Sequence, residues 1–256
     1  YIVNAKHLNI EFVFTRNIIK VLMDKLQKYK PTDKMIDLIG DNYSLLQVMS
    51  RFGLSLGFGD KTVKEVCEMN NVDCHTFLVV VNFMAEGFSR MDGSADDISI
   101  PALVDYLRQA HIYFLDYCLP AIRRKLIEAI DCSQDDVSFL ILKFFDGYMR
   151  EVRKHMEYEE KTVFKYVDTL IHGNAPKNYQ ISTFSKHHEQ VGERLTELKN
   201  IIIKYCPAKA NTNVLNAALF DIYACEEGLE SHCKVEDYLF VPAILKLERR
   251  MRENEK

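Results

Sequence analysis

Two segments of this chain repeat one arrangement. KHMEYEEKTVF places His155 and Glu159 four residues apart, and SHCKVEDYLF does the same with His232 and Glu236. The apolar residues around both recur at helical intervals, and on a helix residues i and i+4 lie on one face. Each segment therefore aims an imidazole and a carboxylate at one point. Taken alone, such a pair is a surface ion pair worth roughly 0.3 kcal/mol. Two of them on separate helices make a polar site inside a helical bundle, so the fold must lay long helices side by side.

The rest of the chain supplies those helices. The first long pattern starts at Pro101 and runs to about Ile130; the second follows Asp135 or Asp136, continues to about Leu170 and ends near Gly173. A third spans roughly 180–205 and stops before Pro207, and a fourth runs from Asn211 or Asn213 to about Leu247. Pro at a helix start and Gly just past its end are the expected punctuation. The three intervening loops are short, so neighbours are antiparallel. The fold class is all-α: an up-down-up-down four-helix bundle over residues 98–250, preceded by a small helical domain over 31–90.

In that smaller domain, TDKMIDLIGDNYSLLQVMSRFG reads as two short helices, followed by a turn with Gly53, Gly57 and Gly59. Thr62 with Glu65 forms a capping box for a helix through Met69, and His75–Glu86 reads as the next helix after a turn. This outline resembles a helix-turn-helix, but HTFLVVVNFMAE carries no Arg or Lys to meet phosphate or base edges, so packing is its expected use. Residues 1–30 read as an N-terminal extension, with IEFVFT as a short strand and residues 1–22 lying ahead of Met23. FSRMDGSADDI, residues 88–98, is the clearest linker.

Each bundle helix carries a histidine: His111 on the first, His155 on the second, His187 and His188 on the third, His232 on the fourth. His111 lies about 19 residues before its helix ends, and His155 and His232 about 19 after theirs begin; at about 1.5 Å per residue these levels match. His188 falls on the stripe Ile181, Phe184, Val191, Leu195, Leu198, Ile202, whereas His187 lies off it. Two Glu and four His in one layer are the hard-oxygen and imidazole set that a pair of iron ions needs. The expected metal ligands are thus His111, His155, Glu159, His188, His232 and Glu236, with both Glu bridging and with Phe164 and Phe240 keeping the site dry. His7, His75 and His172 lie away from that layer, and Cys233 points away from it.

Composition narrows the remaining options. A net charge of −4 argues against a general nucleic-acid binder. No run of 18 apolar residues spans a membrane, and Lys6, Glu11, Arg16 and Lys20 interrupt any signal-peptide core. Seven cysteines without a CxxC pair read as reduced thiols, and the expected location is cytoplasmic. No Ser/His/Asp, Cys/His or Walker-type arrangement is present, so no catalytic residue is assigned.

HMEYEEKTVF, HHEQVGERLTELK and HCKVEDYLFVPAI resemble the hemerythrin-like bundle, and more closely the iron–sulfur cluster repair di-iron proteins known as repair of iron centres. The segment from Leu38 to Asp73 is similar to the small domain that precedes the bundle in that family. By this resemblance His111 matches the family's first-helix histidine, ahead of Leu119-Pro120. His155, Glu159 and Glu160 match its HxxxEE, His188 with Gly192 its third-helix histidine, and His232 and Glu236 its last HxxxE. The family has a further histidine where this chain has Asp131 nearby, which leaves Asp131, Asp135 or water to fill that position. A cysteine pair of the family's small domain is replaced near Leu56-Gly57.

The resemblance implies a stress-response protein with two non-haem iron ions (manganese being the other metal the donors suit) that restores iron–sulfur clusters damaged by nitric oxide or oxidants. Its partners would be O2 or NO and iron–sulfur proteins, with a homodimer left open. The alternatives are an O2- or NO-sensing module and a metal-free helical interaction protein.

Overall fold

The computed structural model describes residues 28–86, 97–130, 136–174, 179–186, 193–207 and 210–254. The expectations for residues 1–22, for a strand at IEFVFT and for most of the linker lie outside these. The chain divides into two compact units that part between Leu103 and Val104.

The first unit contains helices α1 (Met35–Asp41), α2 (Leu45–Arg51), α3 (Val63–Met69) and α4 (Cys74–Glu86). Helix α2 stops where Gly53, at φ +72°, turns the chain left-handed. Leu54 N–H then donates to Met49 O at 2.9 Å, and Gly53 N–H to Ser50 O at 3.0 Å. These two bonds satisfy carbonyls that the helix end would otherwise orphan. The capping box of α3 is present: Thr62 N–H donates to Glu65 Oε2 at 2.8 Å and Glu65 N–H to Thr62 Oγ1 at 3.3 Å. In α4 Phe77, Leu78, Val79, Val80, Val81 and Phe83 are all buried, so this apolar helix is spent on the core of its own unit.

The second unit is built from four arms. The first is α5 (Ile100–Ile112), which belongs to this unit from Val104 onward, a π turn (Tyr113–Cys118) and α6 (Leu119–Ala129). The second is α7 (Asp136–Tyr158), a π turn (Glu159–Val163) and α8 (Phe164–Ile171). The third holds a 3-10 turn (Ile181–Lys186) and α9 (Glu193–Tyr205); the fourth is α10 (Thr212–Val235), a π turn (Glu236–Phe240) and α11 (Val241–Asn254). Each arm packs on the one before it, and the fourth closes on the first, which gives the up-down-up-down ring. Its core includes Phe114, Leu126, Phe145, Leu198 and Ile222, all fully buried. At about 1.5–3 kcal/mol for each such side chain, these contacts dominate what holds the arms together. Polar ties between arms include Arg123 to Asp146 at 2.6 and 3.1 Å and Lys125 to Asp221 at 2.5 Å.

The observed ends follow the sequence punctuation, with Gly173 at φ +83° and Asn174 N–H donating back to Thr169 O at 3.1 Å. The third arm differs from the expected continuous α-helix: Ile181–Lys186 is 3-10. Residues i and i+3 eclipse in that geometry, which sends Ile181 and Phe184 to one buried face. The buried Glu248 carboxylate holds the turn by accepting from Ile181 N–H at 3.0 Å. No helix among the described residues is long and apolar enough to cross a membrane.

Candidate metal centre

The three π turns mark one layer of the bundle. Glu159 and Glu236 each open a π turn, and His111 lies just before the third. A π turn adds a residue to a helix and costs hydrogen-bond geometry, so it survives mostly where function requires it. Its effect is visible in the burial pattern. Neighbours in sequence are buried together at Cys118-Leu119, Val163-Phe164 and Leu239-Phe240.

In this layer His111, Glu159, His232 and Glu236 bring one donor atom each to within 4.8 Å of all the others. Glu159 and Glu236 are completely buried, His232 is 1% exposed and His111 3%. His111 Nε2 is 2.8 Å from Glu159 Oε2, while His232 Nε2 is 3.3 Å from Glu236 Oε1 and 4.0 Å from Glu159 Oε2. Ligands about 2.1 Å from a single first-row cation stand about 3 Å apart along a coordination edge. Four donor atoms this close together and shut away from solvent are an arrangement that suits a cation.

His155 Nε2 lies 2.8 Å from Glu159 Oε1, the other oxygen of that carboxylate, and its side chain is 14% exposed. The expected ligand His188, its neighbour His187, and Asp131 and Asp135 lie outside the described residues. His172 is exposed at the end of the second arm, with Nδ1 2.7 Å from Asp168 O, and His75 is exposed in the first unit.

Sequence reasoning assigned Glu160 no task of its own. Its Oε1 accepts from His111 Nδ1 at 3.0 Å, and its Oε2 is 3.3 Å from Arg108 Nε. With Nδ1 engaged by Glu160, Nε2 is the nitrogen turned to the cluster, a carboxylate–histidine pairing of the kind that orients metal ligands. Phe164 stacks on His111 at 5.5 Å and 10°, and edge-on contacts of Phe114 with His232 and Phe240 with Phe164 complete a dry wall.

Two buried carboxylates need compensating charge, because an isolated buried anion is very costly. Burial alone would lower the His111 pKa, but its bonds to Glu159 and Glu160 outweigh this and push it up to about 9. His232 is raised as well, with burial opposing and Glu236 and Glu159 prevailing. The sign of the pH dependence follows. For a raised histidine the stabilisation is complete below the ordinary value of about 6.5 and is lost as pH rises through the folded value. After chelation the bundle should therefore melt at a lower temperature at pH 9 than at pH 6. An opposite order in thermal unfolding would mean that these histidines are neutral in the folded chain.

A model of the hemerythrin HHE cation binding domain matches residues 102–244, more than half of the chain. No curated protein compared with the chain matches it. The matched stretch contains the whole donor cluster together with Glu160 and the three π turns. The chain belongs to the hemerythrin HHE cation-binding family.

Proposed function

We propose that the bundle holds two non-haem iron ions bridged by Glu159 and Glu236, and that the protein works in the cytoplasm to repair iron–sulfur clusters damaged by nitric oxide or oxidants. The observation that carries the dinuclear reading is the way Glu159 divides its oxygens. Oε1 faces His155, whereas Oε2 faces His111 and His232. A carboxylate turned toward two separate sets of imidazoles is suited to bridging two cations. Imidazole with carboxylate suits iron, and manganese equally on donor type. On the His155 side, His188 would complete the nitrogen set, with Asp131, Asp135 or water in the position of the missing family histidine. The repair role rests on the sequence resemblance of the bundle and of the small domain before it.

When bound, the iron would supply an open position for O2 or NO and one-electron redox chemistry. The side chains have separate tasks. Glu160 keeps Nδ1 of His111 in place, Arg108 steadies Glu160, and the aromatic wall excludes water. Glu160→Ala should weaken metal binding about 10- to 100-fold while helix content is kept, the usual cost of losing such an orienting carboxylate. A competition titration against a chelator checks this, and unchanged affinity would remove Glu160 from the site.

Protein purified without added metal should carry two irons per chain and restore activity to a cluster enzyme damaged by nitric oxide. Failure to restore that activity at full iron loading would reject the repair role. Tight, reversible NO binding that alters the oligomer would then assign the protein to gas sensing.

A further inference from the structure

One carboxylate outside the metal layer ties three arms of the bundle together. Glu248, on α11 of the fourth arm, is 5% exposed. Its Oε1 accepts from the Tyr166 hydroxyl of the second arm at 2.6 Å and from Ile181 N–H of the third at 3.0 Å. Its Oε2 faces Arg252 Nη2, one turn further along α11, at 3.3 Å. We propose that Glu248 is a positioning residue for the metal centre: it pins the start of the third arm, keeps the aromatic stack behind His111 closed, and so slows the loss of a bound cation. The inference rests on the cation-binding reading of His111, Glu159, His232 and Glu236.

The start of the third arm needs an outside partner. A 3-10 turn has poorer hydrogen-bond geometry than an α-helix, and its first N–H groups have no carbonyl behind them. Glu248 supplies the missing acceptor from another arm. Burial and the bond to Glu248 hold the Tyr166 pKa above its ordinary value, so the phenol keeps its proton and donates it to the same oxygen. Tyr179, just before the turn, packs its ring 4.8 Å from that of Tyr166 and brings its hydroxyl 3.3 Å from the Tyr158 hydroxyl. Tyr158 is the residue before Glu159.

From the pinned turn a run of buried rings leads to the site. Phe184 shares the buried face of the turn with Ile181 and meets Phe240 edge-on at 6.5 Å. Phe240 meets Phe164 edge-on at 5.8 Å, and Phe164 stacks on His111 at 5.5 Å. None of the three phenylalanines is more than 1% exposed. Packing this close leaves no slack, so a displaced Phe184 opens a void behind Phe240 and lets Phe164 move off His111. Phe240 also ends the π turn that Glu236 begins. The same displacement therefore reaches a histidine and a carboxylate of the cluster.

The bonding pattern sets the test, because both bonds between arms end on Oε1. Glu248→Gln keeps an oxygen at that place, whereas Glu248→Ala removes the acceptor. Full-length protein loaded with iron is mixed with excess chelator, and release is followed by stopped-flow absorbance. Glu248→Ala should release metal about 10-fold faster than wild type, and Glu248→Gln should stay close to wild type. Asp221→Ala, which breaks the Lys125 tie, controls for general loosening and should leave the release rate unchanged.

The metal-free protein gives a second readout by NMR. In Glu248→Ala the Ile181 amide should exchange about 10-fold faster, and the His111 ring protons should lose the shift imposed by the stacked Phe164. Glu248→Gln should preserve both signals. Wild-type His111 ring shifts in Glu248→Ala would overturn the proposal, as would equal acceleration of release by Asp221→Ala or failure of Glu248→Gln to rescue. If Glu248→Ala does not fold, Tyr166→Phe removes one of the two bonds and should move the same signals in the same direction; unmoved signals count against the proposal equally. Wild-type protein that takes up no metal would reject the cation reading, while the His111 signals would still decide the role of Glu248.

Discussion

Glu159→Ala is expected to abolish metal binding altogether, whereas His155→Ala should weaken only one side of the site. Glu159 is the residue on which the other donors depend: its two oxygens lie 2.8 Å from His111 and from His155, and 4.0 Å from His232. Removing a carboxylate that only orients a ligand costs about 10- to 100-fold in affinity. Removing one that itself faces both histidine sets should cost more than about 100-fold, leaving metal content near background. Glu159→Gln, which preserves shape but not charge, separates electrostatics from packing. Elemental analysis of the three variants beside wild type decides the matter. Full occupancy in Glu159→Ala would show that the metal is held elsewhere.

The second large effect concerns stability. The layer buries four ionisable side chains, none more than 3% exposed, at the centre of an otherwise apolar core. A ligand present at about 1,000 times its dissociation constant stabilises the folded state by about 4 kcal/mol. For a unit of this size each kcal/mol moves the melting temperature by about 2–4 °C, so chelation should lower it by roughly 8–16 °C. Differential scanning calorimetry with and without chelator checks this. A bundle transition that does not move would make the cluster a self-sufficient network of hydrogen-bonded ion pairs.

Much of this was legible in the chain because its signals are local. The Thr62–Glu65 capping box is present as expected, and the second arm stops at Gly173. The stripe Ile181, Phe184, Leu195, Leu198, Ile202 is buried throughout. The two HxxxE spacings contain Glu159, His232 and Glu236, three of the four clustered donors, since i and i+4 share a face whatever surrounds them. Three features escaped for physical reasons. Glu160 meets His111 across 49 positions of sequence, and its side chain is 36% exposed, so periodicity marks it as an ordinary surface residue. The π turns escaped because one added residue is absorbed by the tolerance between steps of three and four. The 3-10 start of the third arm depends on Glu248, a residue of the fourth arm, and no pattern within 181–186 announces that contact.

The π turns carry one more consequence. Each is a helix held one residue out of phase with itself, and a single-residue slip would return it to the ordinary ladder while rotating Glu159 or Glu236 off the shared point by about 100°. A cation gripped by both carboxylates would act as a ratchet pawl, blocking that slip in two arms at once. Loss of the ion would then be felt as a change of phase along α8 and α11, well beyond the atoms that had touched it.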